Sequence, residues 1–278
     1  MNKNLVSRNV GSSRRNGGGS GKAASGVDGH TKHNKILLGL PAKEAEVVFA
    51  LLEFVVLPIN TILHDVSEPI KFAYFINEGL ASIVNVMADG KSVEVGLTGK
   101  EGFTGTPLLA GLRSSFTRAI TQIAGSAFRI KSAELVALLP DCPKLDMALN
   151  RFVQELAMQS SQVAACNRLH EVEERLARWL LMCQDRIGGN QVPLTQEFLA
   201  HMLGTRRASV TVAAGILQKA GLITYHRGLV KIESRSMLED AVCECYGAMS
   251  QQLQTWQKES KVESKLESGT ESRAESVR

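Results

Sequence analysis

The chain has 278 residues, room for two domains of ordinary size, and 44% of them are apolar, enough for real cores, although only 5% are aromatic. The net charge of +4 is unevenly spread: residues 1–35 carry seven Lys/Arg against one acid and residues 186–235 seven against two, whereas 36–185 carry thirteen against seventeen and 236–278 five against eight. No apolar run of signal-peptide length precedes residue 36, the greasiest stretch (47–57) is far short of the ~20 residues that span a bilayer, and five irregularly spaced cysteines do not make a disulfide framework. These features point to a protein of the reducing cytoplasm with no membrane partner.

Residues 1–33 form a Gly/Ser/Lys/Arg tract around Gly17-Gly18-Gly19 and read as a disordered basic arm. A helix is expected over 43–54, inside a domain (34–142) that is otherwise mostly β. Short apolar strands are expected over 73–76, 81–86, 92–97, 119–122 and 127–130, with Asp89-Gly90 as a hairpin turn. Strands at this spacing suggest a sandwich or small barrel.

After Pro143 the period changes. Leu149, Leu156 and Val163 recur every seven residues, and Phe152, Gln159 and Cys166 fill the other seam positions. So narrow a stripe over 143–170 suggests a helix that pairs with its own copy, making the chain a homodimer. Packing within its own domain is the alternative. A further helix follows over 171–186, with Leu176, Trp179, Leu180 and Cys183 on one face.

Within the basic block, Thr195 is a plausible N-cap, and Phe198, Leu199, Met202 and Leu203 form an apolar face ending at Gly204. A second helix from about Thr205 buries Val210, Ala213, Ala214 and Leu217, and a hairpin around Arg227-Gly228 follows. This is a helix-turn-helix with a β wing, within a DNA-binding domain over 171–246. Arg206, Arg207, Ser209 and Thr211 lie where the second helix would meet base edges, and an arginine there can donate two bonds to guanine. Thr195, Gln196 and Arg227 are placed to hold phosphates. The partner is therefore double-stranded DNA.

The run Gly204-Thr205-Arg206-Arg207-Ala208-Ser209-Val210-Thr211, followed by Leu217-Gln218-Lys219-Ala220-Gly221, resembles the C-terminal domain of the Crp/Fnr family of bacterial transcription regulators. Phe75-Ile76-Asn77-Glu78-Gly79 and Asn167-Arg168-Leu169-His170-Glu171 agree with it, over residues 38 to 246. The resemblance implies an α+β fold: an N-terminal jelly roll like a cyclic-nucleotide-binding domain, a long dimerisation helix and a C-terminal winged helix-turn-helix. It also implies near-palindromic operators, and contact with RNA polymerase if the protein activates. Arg207 falls on the family's guanine-reading arginine, Thr195 on a phosphate contact and Ser209 on a backbone contact. Ala208 replaces the usual glutamate and Val212 a further arginine, so the operator should differ from that of the best-known members.

Family members that bind cAMP seat the phosphate on an Arg-Ser pair and the ribose on a glutamate. Arg113 and Ser114 match the first, with Ser160 and Ser161 as neighbours of the base, but Gly105-Thr106-Pro107 stands where the glutamate is expected. Loss of that acceptor costs about 1–3 kcal/mol. No cofactor is assigned on this basis, and a cyclic nucleotide remains an alternative effector. No cysteine precedes Cys142, which argues against the family's iron–sulfur cluster. Cys243-x-Cys245 lacks a nearby His pair and is read as incidental, so no metal is expected; His64 and His170 are read as isolated structural histidines. No phosphate loop or nucleophile–base motif is present, so an enzyme is not expected. The rival of another class is a nucleotide-sensing protein-interaction module that does not bind DNA. The remainder, 247–278, repeats Glu-Ser-x-x and is expected to be a mostly disordered charged tail.

Overall fold

The computed structural model describes residues 29–275, with side chains described for 29–259. Most of the basic arm thus lies outside the described residues, but its last few residues are packed. His30 stacks on Phe54 at 3.6 Å and the Lys32 ammonium lies 3.0 Å from the Phe49 ring centroid, so the folded domain starts before residue 34.

Two short helices, α1 (Lys35–Leu38) and α2 (Ala42–Leu51), lead into strands β1 (Glu53–Leu57), β2 (Ile62–His64), β3 (Phe72–Val86), β4 (Ser92–Thr98), β5 (Phe103–Thr104) and β6 (Arg118–Lys131). The expected helix over 43–54 ends early, because Leu52 is extended and Glu53 pairs in register with Arg129, carboxylate to guanidinium at 2.9 Å. All contacts in this sheet are antiparallel, in the order β1-β6-β3-β4 with β2 and β5 added on β6 and β3. The four short strands expected over 73–86 and 119–130 are two long ones, bent where their register shifts between Ile76 and Ala81. Gly79 sits at that bend with φ 80°, where a side chain would strike the Ile123 carbonyl. The Asp89-Gly90 turn forms as expected, with the Met87 amide donating to the Lys91 carbonyl at 2.8 Å.

After α3 (Ser132–Leu138) comes α4 (Pro143–Leu169), the long helix the sequence foresaw. Its apolar stripe, however, faces its own chain. Leu149, Phe152, Gln159, Val163 and Cys166 are buried, and Leu156 lies against Gly96 of β4. Phe152 enters the aromatic core, 5.6 Å from Phe103, which in turn stacks on Phe75 at 5.9 Å. Gln159 accepts from the Leu97 amide at 3.3 Å. A heptad stripe reports an apolar partner without saying which one, and here the partner is the β domain. Of the six positions read as a dimer seam, five are buried within the chain, Leu156 is half-buried against β4, and Cys166, at the C-terminal end, meets Cys243 and Cys245 instead of the sheet.

The helix α5 (Val172–Ile187) follows after a two-residue break and opens with a capping box between Glu171 and Glu174. Nine consecutive residues, Arg175 to Cys183, are buried, so α5 is enclosed on every side. Beyond it lie β7 (Gln191–Pro193), α6 (Gln196–Met202), α7 (Arg207–Lys219), β8 (Ile223–His226), β9 (Leu229–Ile232), α8 (Arg235–Asp240) and α9 (Glu244–Glu275). Residues 247–275 of the tail expected to be mostly disordered are helical in backbone, and the last three lie outside the described residues. The first turns of α9 bury Cys245 and Met249, which supplies the nucleus that an isolated polar helix lacks. Gln162 of α4 donates to Cys245, while Trp256 shares a groove with Met147 and Arg151, so α9 runs antiparallel to α4. No helix among the described residues is long and apolar enough to cross a membrane.

One apolar core joins Leu80, Val84 and Leu97 of the sheet to α5, α6 and α7. At its polar centre the Glu94 carboxylate accepts from Trp179 Nε1 at 2.8 Å and from Ser82 Oγ at 2.7 Å, and Ser82 also meets Gln122. Burial pushes the Glu94 carboxyl up to about 7 against the pull of these hydrogen bonds and of Arg178 and Arg186.

Two predictions follow from this packing. Phe152→Ala should lower unfolding free energy by about 3–5 kcal/mol; for a core residue, the loss is independent of protein concentration in denaturant titrations. For Glu94, the native state holds its proton more tightly than the unfolded chain. The stabilisation is complete below the ordinary carboxylate pKa and is lost as pH rises to and through about 7. In melts compared between pH 4.5 and 8, wild type should lose on the order of 3 kcal/mol relative to Glu94→Gln. Glu155, raised to about 7 by burial and by Glu101, leaves a residual slope in the variant. His64, held low by burial, gives an opposing slope common to both proteins.

Candidate nucleic-acid interface

The motif is assembled locally. Thr195 caps α6, its Oγ1 accepting from the Phe198 amide at 3.2 Å. Leu199, Met202 and Leu203 are buried beneath it, with Phe198 half-buried, as the apolar face required. The turn that follows passes through Gly204 at φ 56°, a conformation that costs a residue with a side chain about 1–2 kcal/mol. Arg206 then stands at the N-cap of α7 without a side-chain cap bond. The first-turn amides of α7 are consequently available to an anion, and the helix dipole favours one there. Val210, Ala213, Ala214 and Leu217 pin the inner face of α7 to the core.

The outer face of α7 presents Arg206, Arg207, Ala208, Thr211, Val212, Gly215, Ile216 and Lys219 to solvent, and Ser209 is half-buried. A concavity bounded by Thr195, Gln196, Arg207, Tyr225, Arg227 and Gly228 gathers the start of α6, the start of α7 and the wing into one surface. Four of the seven sequence-assigned DNA residues, Thr195, Gln196, Arg207 and Arg227, thus border a single cleft. Arg206 flanks it on the exposed side. The Thr211 hydroxyl lies 2.9 Å from Gln196 Oε1 of α6 and 3.0 Å from the Arg207 carbonyl of its own helix, so its one proton has two acceptors within reach inside the motif.

The wing is tighter than the sequence implied. Arg227 and Gly228 both have positive φ, 47° and 79°, as a two-residue hairpin of the favoured twist requires. β7 joins β9 in register from Gln191 to Pro193, making a three-stranded sheet, and this strand was not anticipated. Tyr225 of β8, which no motif singles out in the sequence, anchors the cleft. Its hydroxyl donates to the Leu194 carbonyl at 3.0 Å, and its amide donates to Gln218 Oε1 at 2.7 Å. Burial raises the Tyr225 phenol above its ordinary value while nearby Arg207 opposes the rise, so the ring stays neutral beside a cation.

The effector residues are not assembled in the same way. Arg113 and Ser114 are exposed in the loop before β6, which is held by an isolated bridge between Pro69 and Ser114 and by the Ile70 amide donating to the Arg113 carbonyl. Ser160 Oγ already donates to the Val95 carbonyl at 2.7 Å, and Ser161 faces solvent. A different constellation does form, at the junction of α4 and α9. Cys166, His170, Cys243 and Cys245 converge, so His170 is not isolated and the Cys-x-Cys pair has the histidine it lacked in sequence. Only the i, i+4 spacing of Cys166 and His170 was a local signal, and nothing local joined it to residues more than seventy positions away.

Residues 174–241 match the profile of the Crp-like helix-turn-helix domain. No curated protein sequence matches the chain. Among solved structures, the c-di-GMP-responsive regulator CLP of Xanthomonas campestris aligns with a TM-score of 0.59 at 19% identity, over 70% of this chain and 100% of that one. A crp/fnr-family regulator from Eubacterium rectale gives 0.59 at 16% identity, over 75% and 98%. FixK2 of Bradyrhizobium japonicum gives 0.58 at 14%, over 69% and 98%. The chain thus carries a Crp-like helix-turn-helix domain over residues 174–241, the mark of a DNA-binding transcriptional regulator, on a fold similar to that of these structures.

Proposed function

We propose that the protein acts in the cytoplasm as a homodimer on near-palindromic operators, with α7 in the major groove, Arg207 donating to a guanine edge and the β domain serving as scaffold or sensor. The cleft joining Thr195, Gln196, Arg207 and Arg227 is the observation that carries this reading. It sets a base-reading cation between groups suited to flanking phosphates. Exposed Val212 and Ile216 offer apolar contact to thymine methyl groups where a further arginine would otherwise read guanine. The protein works by binding rather than catalysis, and an activating role would add contact with RNA polymerase.

Since the buried stripe of α4 is spent on the β domain, pairing of two copies falls to the opposite face. Gln154, Ala157, Ser161, Ala164 and Arg168 are exposed there at three- and four-residue spacing. Small side chains at 157, 161 and 164 allow a close helix approach, and a two-fold axis would set each position near its own copy.

Selection of operators from random DNA, with binding then measured over a range of salt, tests the DNA reading. Affinity should fall steeply as salt rises, and Arg207→Ala should weaken the selected site by about 1–3 kcal/mol while relaxing preference at one base pair. Equal binding by the mutant would remove Arg207 as the reader; salt-insensitive capture of a protein with no DNA shift would favour an interaction module. For the dimer, Ala157→Glu should convert the protein to monomer in sedimentation experiments without lowering the monomer's stability. A persistent dimer would place the interface elsewhere.

A further inference from the structure

Four side chains that DNA binding does not use meet at the end of α4. Cys166 and His170 lie one turn apart there, and Cys243 and Cys245 stand at the start of α9. One ligand-type atom from each lies within 4.8 Å of the others. Cys166 Sγ is 3.6 Å from Cys243 Sγ, and His170 Nδ1 is 3.5 Å from Cys245 Sγ. A tetrahedral zinc ion, with Zn–S of about 2.3 Å and Zn–N of about 2.0 Å, needs its ligand atoms roughly 3.5–3.8 Å apart. We propose that Cys166, His170, Cys243 and Cys245 form a structural Cys3His zinc site that clasps the DNA-binding half of the chain to the end of the long helix.

The surroundings fit a metal centre better than a fragment of core. All three cysteines are buried, and they form a cluster of their own with Val242 rather than merging with the aliphatic cores. The histidine is already oriented: its Nε2 lies 3.0 Å from the Glu244 carboxylate, which turns Nδ1 toward the sulfurs. A carboxylate on the far nitrogen fixes ring and tautomer in zinc sites generally. Gln162 Nε2 donates to Cys245 Sγ at 3.1 Å, a contact that would stabilise a thiolate. Three thiolates and one divalent cation leave a net charge of −1. Arg175 and Arg178 are buried close enough to Cys166 to interact with it electrostatically; Arg175 donates to the Leu203 carbonyl and Arg178 to Met182 Sδ, but their Nε atoms have no hydrogen-bond partner among the described residues. Buried guanidinium groups need an anion nearby, and the loaded site would supply one.

Four protein ligands leave no open position, so the site holds structure rather than supporting catalysis. Thiolate and imidazole ligands select zinc over magnesium or calcium, and binding would displace the thiol protons. The site lies next to the break between α4 and α5, so loading would fix α9 and α5 against α4. That consequence for DNA rests on the functional reading above, but metal binding itself does not.

The full-length protein, reduced and stripped of metal, should be titrated with Co2+ and then with Zn2+. One equivalent of cobalt should give tetrahedral d–d bands and thiolate charge-transfer absorption, and zinc should displace both. Cys243→Ser and His170→Ala should abolish this spectrum. In case those variants fold poorly, Glu244→Gln alters only an exposed partner of the histidine. It should weaken zinc affinity by about tenfold or more with the melting temperature of the metal-free protein unchanged. The proposal is overturned if no tetrahedral spectrum appears with the thiols kept reduced, or if the spectrum survives Cys243→Ser. A protein that binds zinc as described but no DNA would instead count against the regulator reading.

Discussion

The Trp179 indole donates across the domain boundary to the Glu94 carboxylate at 2.8 Å, and the placement of the DNA-reading surface depends on that contact. Glu94 belongs to β4 and Trp179 to the middle of α5, and both are buried. An unpaired carboxylate in such a place would cost several kcal/mol; paired, it forbids α5 from sliding or rotating on the sheet. In the winged domain, α7, β7 and α8 pack directly on α5, while α6 rests on α7 and on β4. The α5 core residues Leu176, Leu180 and Cys183 pack in the same cluster as Val210, Ala213 and Leu217 of α7. At its two ends, Arg175 donates to the Leu203 carbonyl in the helix-turn-helix, and Arg186 pairs with Glu101 beside the sheet at 2.7 Å.

This arrangement explains which parts of the molecule were legible in the sequence. The helix-turn-helix was, because its determinants are local: a capping threonine, a turn glycine, an apolar face of period 3.6 and a two-residue wing turn all lie within about forty residues. The long helix was legible as an element but not in its partner. Leu149 and Phe152 look the same in sequence whether they meet a second copy or the phenylalanines of β3 and β5. The distinguishing fact, that Phe103 and Phe75 reach Phe152, depends on the bend of β3 and cannot be read from periodicity. The same bend hid the length of the strands, since a shift of register resembles a turn.

Charge was informative where it was local and misleading where it was summed. The block over 186–235 places Arg206, Arg207 and Arg227 on the exposed surface, whereas Arg186 at its edge is spent on an ion pair with Glu101. Arg175 and Arg178, counted in an acidic segment, are buried and face the cysteines at the α4–α9 junction. The repeat of glutamates near the C-terminus argued for disorder, yet a helix whose first turns are anchored by Cys245 and Met249 can continue through residues of poor propensity.

The geometry also restricts how a signal could reach DNA. Only His170 and Glu171 separate α4 from α5, so any change of angle between the two helices must be absorbed by these two residues. Movement of α7 relative to the sheet must therefore tilt α5, and a tilt strains three contacts together: Trp179 with Glu94, Arg186 with Glu101, and the turn at Gly204 with Val93 of β4. The first depends on a carboxyl whose proton is held to about pH 7, and the second on an ion pair that is more than four-fifths buried on both sides. Neither deforms gradually, because a buried hydrogen bond is either made or lost with its full desolvation cost. Displacing α7 on the sheet would therefore break these contacts together, and any effector can act on DNA binding only as far as it distinguishes the bound and displaced arrangements.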